Sequence, residues 1–394
     1  MSFYKKLPLL ARLVLALALG IVLGSVLPES LVRVFVTFSS LFSAFLGFTI
    51  PLIIVAFIVP GISQLSTNAG KLLGVSTGLA YISTLIAGFV AFFASINFLP
   101  SILQGTALQS LANPEELLLS GYIKLEIPPI FSVTSALILS FVFGIGISVL
   151  KLDAMKKGFD EFGKLIELLL NKVIIPLLPF YILGVFSNIT KSGEVFKILK
   201  IFLLVFVLIL VLHAVIIVTQ YLVAGSVNGR NPFKMLAKIA PAYATAIGTQ
   251  SSAATIPVTM KSTENMGVSK SVANFTVPLF ATIHLSGSTI TLTTCATAVY
   301  WLQNGSQFPD MATMVQFIVL LGVTMVAAPG VPGGGVMAAL GLLQSVLGFN
   351  EIMTSLMIAL YIAQDSFGTA ANIAGDGALA SIVDKFNKRF SKEK

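Results

Sequence analysis

The sequence has little of what stabilises soluble or disulfide-linked proteins. It contains one cysteine, Cys295, and only 10% of its residues are charged, whereas a soluble domain carries about 25%. A single cysteine excludes an internal disulfide and a thiolate metal cluster. The net charge of +8 includes no basic block long enough to form a patch for nucleic acid. Lys and Arg collect in the cytoplasmic loops of membrane proteins, and we interpret the positive charge in that way.

Long apolar stretches replace the missing charge. Hydrophobic residues make up 56% of the chain, and stretches that begin at Leu10, Leu79 and Ile201 reach the roughly 20 residues that cross a lipid bilayer. The first stretch follows basic residues but lacks a small-residue cleavage site, so we expect a retained helix rather than a signal peptide. We predict an all-α polytopic membrane protein with helices at about 8–27, 31–61, 72–98, 127–150, 162–189, 195–224, 268–300 and 350–382.

Two further segments are too polar and too broken to span a membrane simply. They cover residues 231–262 and 311–347, and the second contains "AAPGVPGGGVMAA". Basic residues fall in alternate loops only if both segments turn back without crossing, one from each side of the membrane. The sequence therefore predicts eight transmembrane helices, two re-entrant hairpins with inverted-repeat topology, and cytoplasmic N- and C-termini. Paired interrupted segments of this kind mark the binding site of a transporter; the alternative is a pair of kinked helices.

Four polar residues form a stripe on the last helix, in "DSFGTAANIAGD". Asp365, Thr369, Asn372 and Asp376 are spaced by four, three and four residues, which places them on one side of an α-helix. An ionised carboxylate that faces lipid costs several kcal/mol, so we expect the stripe to face the interior. Because residues 271–384 contain no lysine or arginine, the acids need a substrate ammonium, a metal ion or a proton. The alternative is a structural polar seam between helices.

Three other segments carry groups suited to binding. The tip of the first interrupted segment, "TQSSAATIPVTM", offers hydroxyls and backbone N–H groups to a substrate carboxylate, although serines are also common in turns. The tip of the second, Pro329 to Val336, is glycine-rich and suits a mobile gate or a plain loop. Residues 268–300 combine many Ser and Thr residues with Gly287, which predicts local unwinding with carbonyls available to a cation. We interpret His284 and His213 as hydrogen-bonded interior groups, with proton transfer as the alternative for His284.

In combination, "SSAATIPVTM", "GVPGGG" and "DSFGTAANIAGD" resemble the dicarboxylate/amino acid:cation symporter family of glutamate-transporter-like proteins. "QDSFGT" with "SSAA" is most similar to the serine/threonine:sodium branch of that family. The resemblance implies a glutamate-transporter-homologue fold, a homotrimer in the inner (plasma) membrane and transport by an elevator motion. The implied domains are scaffold helices 1, 2, 4 and 5 with peripheral helices 3 and 6 in 1–230, a transport core in 231–382, and a cytoplasmic tail in 383–394.

The resemblance also assigns roles to individual residues. Asp365 would bind the substrate amino group, while Thr369 and Asn372 would help to hold its α-carboxylate. One sodium ion would bind at Asp376 and a second under the gate. The implied substrate site is Ser251, Ser252, Ser288, Val331, Gly335, Asp365, Thr369 and Asn372. The implied sodium ligands are Phe280, Thr282, His284, Met325, Val326, Ala328, Asn372 and Asp376.

Two departures from the family pattern refine the expected function. Gly368 stands where members that carry acidic amino acids have an arginine for the side-chain carboxylate. His284 to Ser288 replaces an Asn-Met-Asp-Gly-Thr motif, which removes the anionic ligand of a third sodium, although Ser83 and Thr84 remain. We therefore expect symport of a small neutral amino acid, such as serine, threonine or alanine, with about two sodium ions. The alternatives are a dicarboxylate or acidic amino acid as substrate, proton coupling, and a passive channel.

An intramembrane protease is the alternative from a different class of protein. General acid–base chemistry needs two carboxylates close together, but Asp365 and Asp376 lie about 16 Å apart along one helix at 1.5 Å per residue. A serine protease built on His284 with Ser286 or Ser288 lacks a clear third group. The sequence therefore favours a transporter over an enzyme.

Overall fold

The computed structural model describes residues 9–65, 71–103, 119–123, 125–193, 195–326, 328 and 333–390. All regular secondary structure within these ranges is helical. The helices are α1 Leu9–Val26, α2 Glu29–Leu65, α3 Lys71–Leu103, α4 Val133–Leu150, α5 Asp153–Leu169, α6 Ile175–Lys191, α7 Val195–Asn228, α8 Pro232–Thr249, α9 Ser252–Asn265, α10 Lys270–Ile283, α11 Ser286–Gln303, α12 Met311–Val326, α13 Gly334–Ser345 and α14 Glu351–Phe390. A π-helical turn, Leu170–Ile174, joins α5 to α6.

The helix predicted at 127–150 starts later than expected, because α4 begins at Val133. Pro128 and Pro129 supply no backbone N–H and fix their own φ angles, so the chain there stays extended. Ser132 then caps the helix by accepting a hydrogen bond from the backbone N–H three residues later. The prediction was wrong at this boundary because the apolar run includes the residues around the two prolines.

The helix predicted at 162–189 starts earlier than expected. Helix α5 begins at Asp153 and continues through the π-helical turn into α6. Its first residues include Lys156 and Lys157, and charged residues of this kind are absent from the apolar runs that identify membrane spans. Helix α14 likewise continues past the predicted end at residue 382, as far as Phe390.

Five helical segments within the described ranges, two of them made of two consecutive helices, are long and apolar enough to cross a membrane, by length and composition. They span Glu29–Pro60, Leu72–Ile102, Asp153–Lys191, Leu199–Asn228 and Lys270–Gln303. Shorter apolar helices cover Ala11–Val26, Ile138–Leu150, Met311–Val326 and Gly334–Ser345. The chain is therefore a multi-pass, all-helical membrane protein in its described part. The count of eight spans with two re-entrant hairpins stays a prediction.

Each of the two interrupted segments forms a pair of helices that pack against each other. In the first pair, Gln250 adopts a left-handed conformation between α8 and α9, with a φ of 53°. The Lys238 ammonium donates to the Asn265 carbonyl oxygen at 2.6 Å. This contact brings the start of α8 to the end of α9, so the two helices run antiparallel. The second pair is α12 and α13, and Gly333 precedes α13 with a left-handed φ of 76°.

Helix α11 forms the centre of the fold. Nearly all its residues are buried, including the Ser and Thr side chains between Ser286 and Thr297. It packs against α14, α3 and α7. The Thr289 and Thr297 hydroxyls donate to carbonyl oxygens one turn earlier, at 2.9 and 2.7 Å, and these local bonds satisfy buried polar groups without water. Helix α11 therefore supports α14, which carries the polar stripe.

Two glycines let α1 approach α6 closely. A Cβ atom on Gly20 would lie 2.7 Å from the Leu183 carbonyl oxygen, and one on Gly24 would lie 2.5 Å from the Ser187 carbonyl oxygen. Small residues four positions apart allow the backbones of membrane helices to come together in this way.

We expect Gly24→Ala to destabilise the protein, because its new methyl group overlaps the backbone of α6. Overpacking costs about 1–3 kcal/mol, so the thermal unfolding midpoint of the protein in detergent should fall. Gly146→Ala is the matched control: its Cβ atom would meet nothing within 4 Å, and alanine favours a helix over glycine. Equal destabilisation by both variants would contradict the close contact between α1 and α6.

Candidate functional site

The polar stripe of α14 is buried inside the protein. Asp365, Thr369, Asn372 and Asp376 expose 5, 6, 2 and 0% of their surface. Their hydrogen bonds connect α14 to the start of α13, to the start of α11 and to the end of α10. The stripe therefore faces the interior, as the cost of an acid in hydrocarbon requires.

Asp365 lies where the tips of both helix pairs meet α14. Its Oδ2 atom accepts a hydrogen bond from the backbone N–H of Gly333 at 2.7 Å. One residue further along, the Ser366 hydroxyl accepts from the side-chain amide of Gln250 at 2.8 Å. The Tyr361 hydroxyl, one helical turn earlier, also lies next to Asp365. The acid is therefore enclosed by residues from both interrupted segments.

Asp365 differs from the other buried acids of the described ranges because it has no basic partner there. Asp376 lies 2.9 Å from a ring nitrogen of His284, and Asp384 lies 2.6 Å from the ammonium of Lys388. No basic side chain in the described part of the chain pairs with Asp365. Because a buried carboxylate without a partner is costly, Asp365 is suited to a cationic group that arrives with a ligand.

The first helix pair brings hydroxyls and a helix N-terminus to the same region. Ser251 is the N-cap of α9 and accepts from the backbone N–H of Ala254 at 3.3 Å, and Ser252 is buried in the first turn. Thr369 is also buried, and its hydroxyl has no hydrogen-bond partner among the described residues. These groups can donate hydrogen bonds to an anion.

The second helix pair contributes the expected gate only in part. Val331, one of the predicted gate residues, lies outside the described residues. Gly335 is buried at the start of α13, and a Cβ atom there would collide with the Tyr361 hydroxyl. Glycine therefore lets α13 approach α14 here without displacing the Tyr361 ring.

Asn372 holds the first turn of α11. Its Oδ1 atom accepts from the backbone N–H groups of Gly287 and Ser288 at 2.8 and 3.2 Å, and its Nδ2 atom donates to the Ser288 hydroxyl at 2.9 Å. Leu285, at the N-cap position, provides no capping side chain, so Asn372 caps α11 from α14. A side chain on Gly287 would collide with the Gly368 carbonyl oxygen, and glycine permits this approach.

We expect Asn372→Ala to destabilise the protein, because it leaves two buried N–H groups on α11 without an acceptor. Each unsatisfied group costs about 1–3 kcal/mol, so the thermal unfolding midpoint in detergent should fall clearly. Ser288→Ala keeps both N–H groups capped but removes the acceptor for the Asn372 amide and a hydrogen-bond partner of Tyr361, and it serves as the control. A fall no larger than that of Ser288→Ala would contradict the capping role.

The predicted unwinding between α10 and α11 occurs at His284, which adopts an extended conformation. Its Nδ1 atom lies 2.9 Å from Asp376 Oδ1, and its Nε2 atom lies 3.0 Å from the Ser83 hydroxyl. The Ser83 hydroxyl also accepts from the side-chain amide of Gln220 at 3.0 Å. His284 is therefore a hydrogen-bonded interior group, and Ser83 is already bonded to two protein groups.

The residues expected to bind sodium under the gate lie at the ends of α10 and α12. Val326 packs against the apolar cluster that contains Phe280 and Ile283, which brings the two helix ends together. The Phe280 carbonyl oxygen, which is expected at the other sodium site with Asp376, accepts the last hydrogen bond of α10, from the backbone N–H of His284 at 2.9 Å. The remaining members are Thr282, which is exposed, and Met325 and Ala328, which are buried. This set offers mainly carbonyl oxygens, the groups that coordinate sodium at unwound helices in transporters.

Two buried polar residues near the site were not predicted. Gln220 lies on α7 and donates to the hydroxyls of Ser83 and Ser286 at 3.0 and 3.2 Å. A glutamine within an apolar membrane helix was the available signal, because such a residue needs an interior partner. Tyr361 precedes Asp365 by four residues on α14, a spacing that places both side chains on one face.

In the described part of this all-helical membrane protein, two interrupted segments each form a pair of helices beside a buried acid that has no basic partner. This is the architecture of a secondary transporter. The sequence model of one protein family, the sodium:dicarboxylate symporter family, matches residues 9–386. The chain belongs to that family. It is therefore a transporter and not an enzyme, and both predictions are confirmed.

Three relatives illustrate the similarity. Over 399 residues the chain is 26% identical to the serine/threonine transporter SstT of Acinetobacter baumannii (strain AYE), with 98% of each protein covered. It is 28% identical over 269 residues to the neutral amino acid transporter B(0) of Homo sapiens, which covers 66% of this chain and 49% of the human protein. It is 27% identical over 259 residues to the excitatory amino acid transporter 2 of Mus musculus, which covers 64% of this chain and 44% of the mouse protein.

Proposed function

We propose that the chain is a sodium-coupled symporter of a small neutral amino acid such as serine, threonine or alanine. The observation that carries the proposal is Asp365, a buried acid without a basic partner in the described ranges. The ammonium group of an amino acid supplies the missing positive charge. The Thr369 hydroxyl and the N-terminus of α9, at Ser251 and Ser252, supply donors for the α-carboxylate.

The absence of a second positive charge favours a neutral substrate. Residues 271–384 contain no lysine or arginine, and Gly368 occupies the position next to Thr369. A side-chain carboxylate on the substrate would therefore have no cationic partner from this part of the chain. Two of the relatives are named as serine/threonine and neutral amino acid transporters. The family description, which names dicarboxylates, makes a dicarboxylate or acidic amino acid the alternative substrate.

The proposed architecture has eight membrane spans and two re-entrant hairpins, α8–α9 and α12–α13, in an inner-membrane homotrimer with cytoplasmic termini. Residues 1–230 contribute the scaffold and two peripheral helices, 231–382 form the transport core, and 383–394 form the tail. Helix packing supports this division. Helix α2 packs with α4, α5 and α6, whereas α14 packs with α7, α8, α10 and α11. The second group would move as a unit in an elevator mechanism.

Uptake into proteoliposomes tests the proposed function. An inward sodium gradient should drive concentrative, saturable uptake of labelled serine, and excess unlabelled threonine or alanine should compete. Better transport of glutamate or succinate than of serine would contradict the neutral substrate. Uptake that follows a pH gradient and ignores sodium would contradict sodium coupling, and non-saturable flux would indicate a channel.

A further inference from the structure

The His284–Asp376 pair leaves one carboxylate oxygen without a partner. Both side chains are completely buried. Because a carboxylate oxygen accepts hydrogen bonds, the Nδ1 atom of His284 is the donor to Asp376 Oδ1 at 2.9 Å. Asp376 Oδ2 is buried and has no hydrogen-bond partner in the described part of the chain. An acceptor oxygen of this kind costs free energy unless a ligand or an ion satisfies it.

The surroundings of His284 fix the orientation of its ring. The Nε2 atom is hydrogen-bonded to the Ser83 hydroxyl at 3.0 Å, and Gln220 donates to the same hydroxyl. Gly375 leaves room for the ring, since a Cβ atom there would lie 2.6 Å from His284 Cε1. The imidazole is thus held by α3 and α7 on one side and directs its Nδ1–H to α14 on the other.

We propose that His284 is the positioning residue of a cation site at Asp376: by holding Oδ1, it turns Oδ2 towards a sodium ion. The inference rests on the proposed sodium coupling. It assigns to the His284 side chain a role that is separate from ligation by its backbone carbonyl. Hydrogen bonds to a ligating carboxylate typically change metal affinity by about 10- to 100-fold, so the imidazole is expected to control sodium affinity.

Two amide substitutions separate this role from simple packing. In His284→Asn, the amide nitrogen can take the place of Nδ1 and donate to Asp376. In His284→Gln, the longer side chain takes the place of Nε2 and reaches Ser83 instead. We measure serine uptake as a function of sodium concentration in proteoliposomes, and sodium-dependent thermal stabilisation in detergent without substrate.

The asparagine variant should keep a half-saturating sodium concentration close to that of the wild type. The glutamine variant should raise it about 10- to 100-fold, with a much smaller change in the maximal rate. Gly375→Ala, which displaces the ring and the Gln220 amide without removing a polar group, should also raise the half-saturating sodium concentration. It keeps the proposal testable if the amide variants do not fold. His213→Asn, at the other buried histidine, should leave the sodium response unchanged.

If the wild type responds to sodium but the asparagine and glutamine variants respond equally, the proposed role of His284 is overturned and the proposed sodium coupling is not. An unchanged sodium response in Gly375→Ala would do the same. A wild-type protein that carries serine without any sodium response would instead overturn the proposed coupling. The two failures are therefore distinguishable.

Discussion

Replacing Asp365 with asparagine is expected to abolish concentrative serine uptake while the protein stays folded. The amide keeps the size of the side chain and an oxygen that can accept from the Gly333 N–H, but it removes the negative charge opposite the substrate ammonium. Loss of one member of a buried ion pair costs about 3–5 kcal/mol, which corresponds to a loss of affinity of more than about 100-fold. Uptake into proteoliposomes and calorimetric titration of serine measure this effect.

Thermal stability distinguishes a binding role of Asp365 from a structural role. Because the unpaired carboxylate destabilises the protein without substrate, Asp365→Asn should preserve or raise the unfolding midpoint under that condition. Asp384→Asn is the matched control. Asp384 is buried, bonded to Lys388 and Ser269, and remote from the proposed substrate site in sequence, so its substitution should lower the midpoint and preserve serine uptake. Serine affinity close to wild type in Asp365→Asn would contradict the binding role.

The breaks in the membrane helices could be predicted from the sequence because local composition causes them. Gln250 lies in a cluster of Ser and Thr residues, Gly333 in a run of glycines, and His284 beside a Ser-Gly-Ser segment. In each case the residues lower the helix propensity of a short stretch within an otherwise apolar segment. The inward direction of the polar stripe could also be predicted from the sequence, because an acid that faces lipid is costly whatever the rest of the fold.

The start of α5 could not be found by the same reasoning. Residues from Asp153 onwards include several charges, so a search for apolar runs excludes them, although they are helical. The alternation of apolar and charged residues with a helical period is the signal that identifies an amphipathic helix such as α5.

The partners within the site could not be predicted because they depend on how distant helices pack. Asn372 reaches the first turn of α11 only because α11 and α14 approach at Gly287 and Gly368. The bond between His284 and Asp376 likewise joins residues 92 positions apart. Spacing within one helix predicts which residues share a face, but it contains no information on the register between two helices.

Gly368→Arg is expected to change the substrate preference from neutral to acidic amino acids. A Cβ atom at position 368 would lie 3.4 Å from the Thr291 hydroxyl and 3.6 Å from the Ser288 backbone nitrogen, so a side chain can begin there at ordinary contact distance. An arginine binds a carboxylate through two charge-assisted hydrogen bonds. A single such bond contributes about 1.5–3 kcal/mol, so the ratio of glutamate to serine uptake should rise by at least roughly 10- to 100-fold.

Gly368→Met is the matched control, because methionine is long and flexible but carries no charge. Both variants should lose serine uptake to a similar degree through the volume that they add, whereas only the arginine variant should gain uptake of glutamate or aspartate. A gain in the methionine variant would assign the change to shape rather than to charge. Retained serine preference in Gly368→Arg, with glutamate still excluded, would mean that the substrate side chain does not lie beside position 368. The orientation in which Asp365 holds the ammonium would then have to be revised.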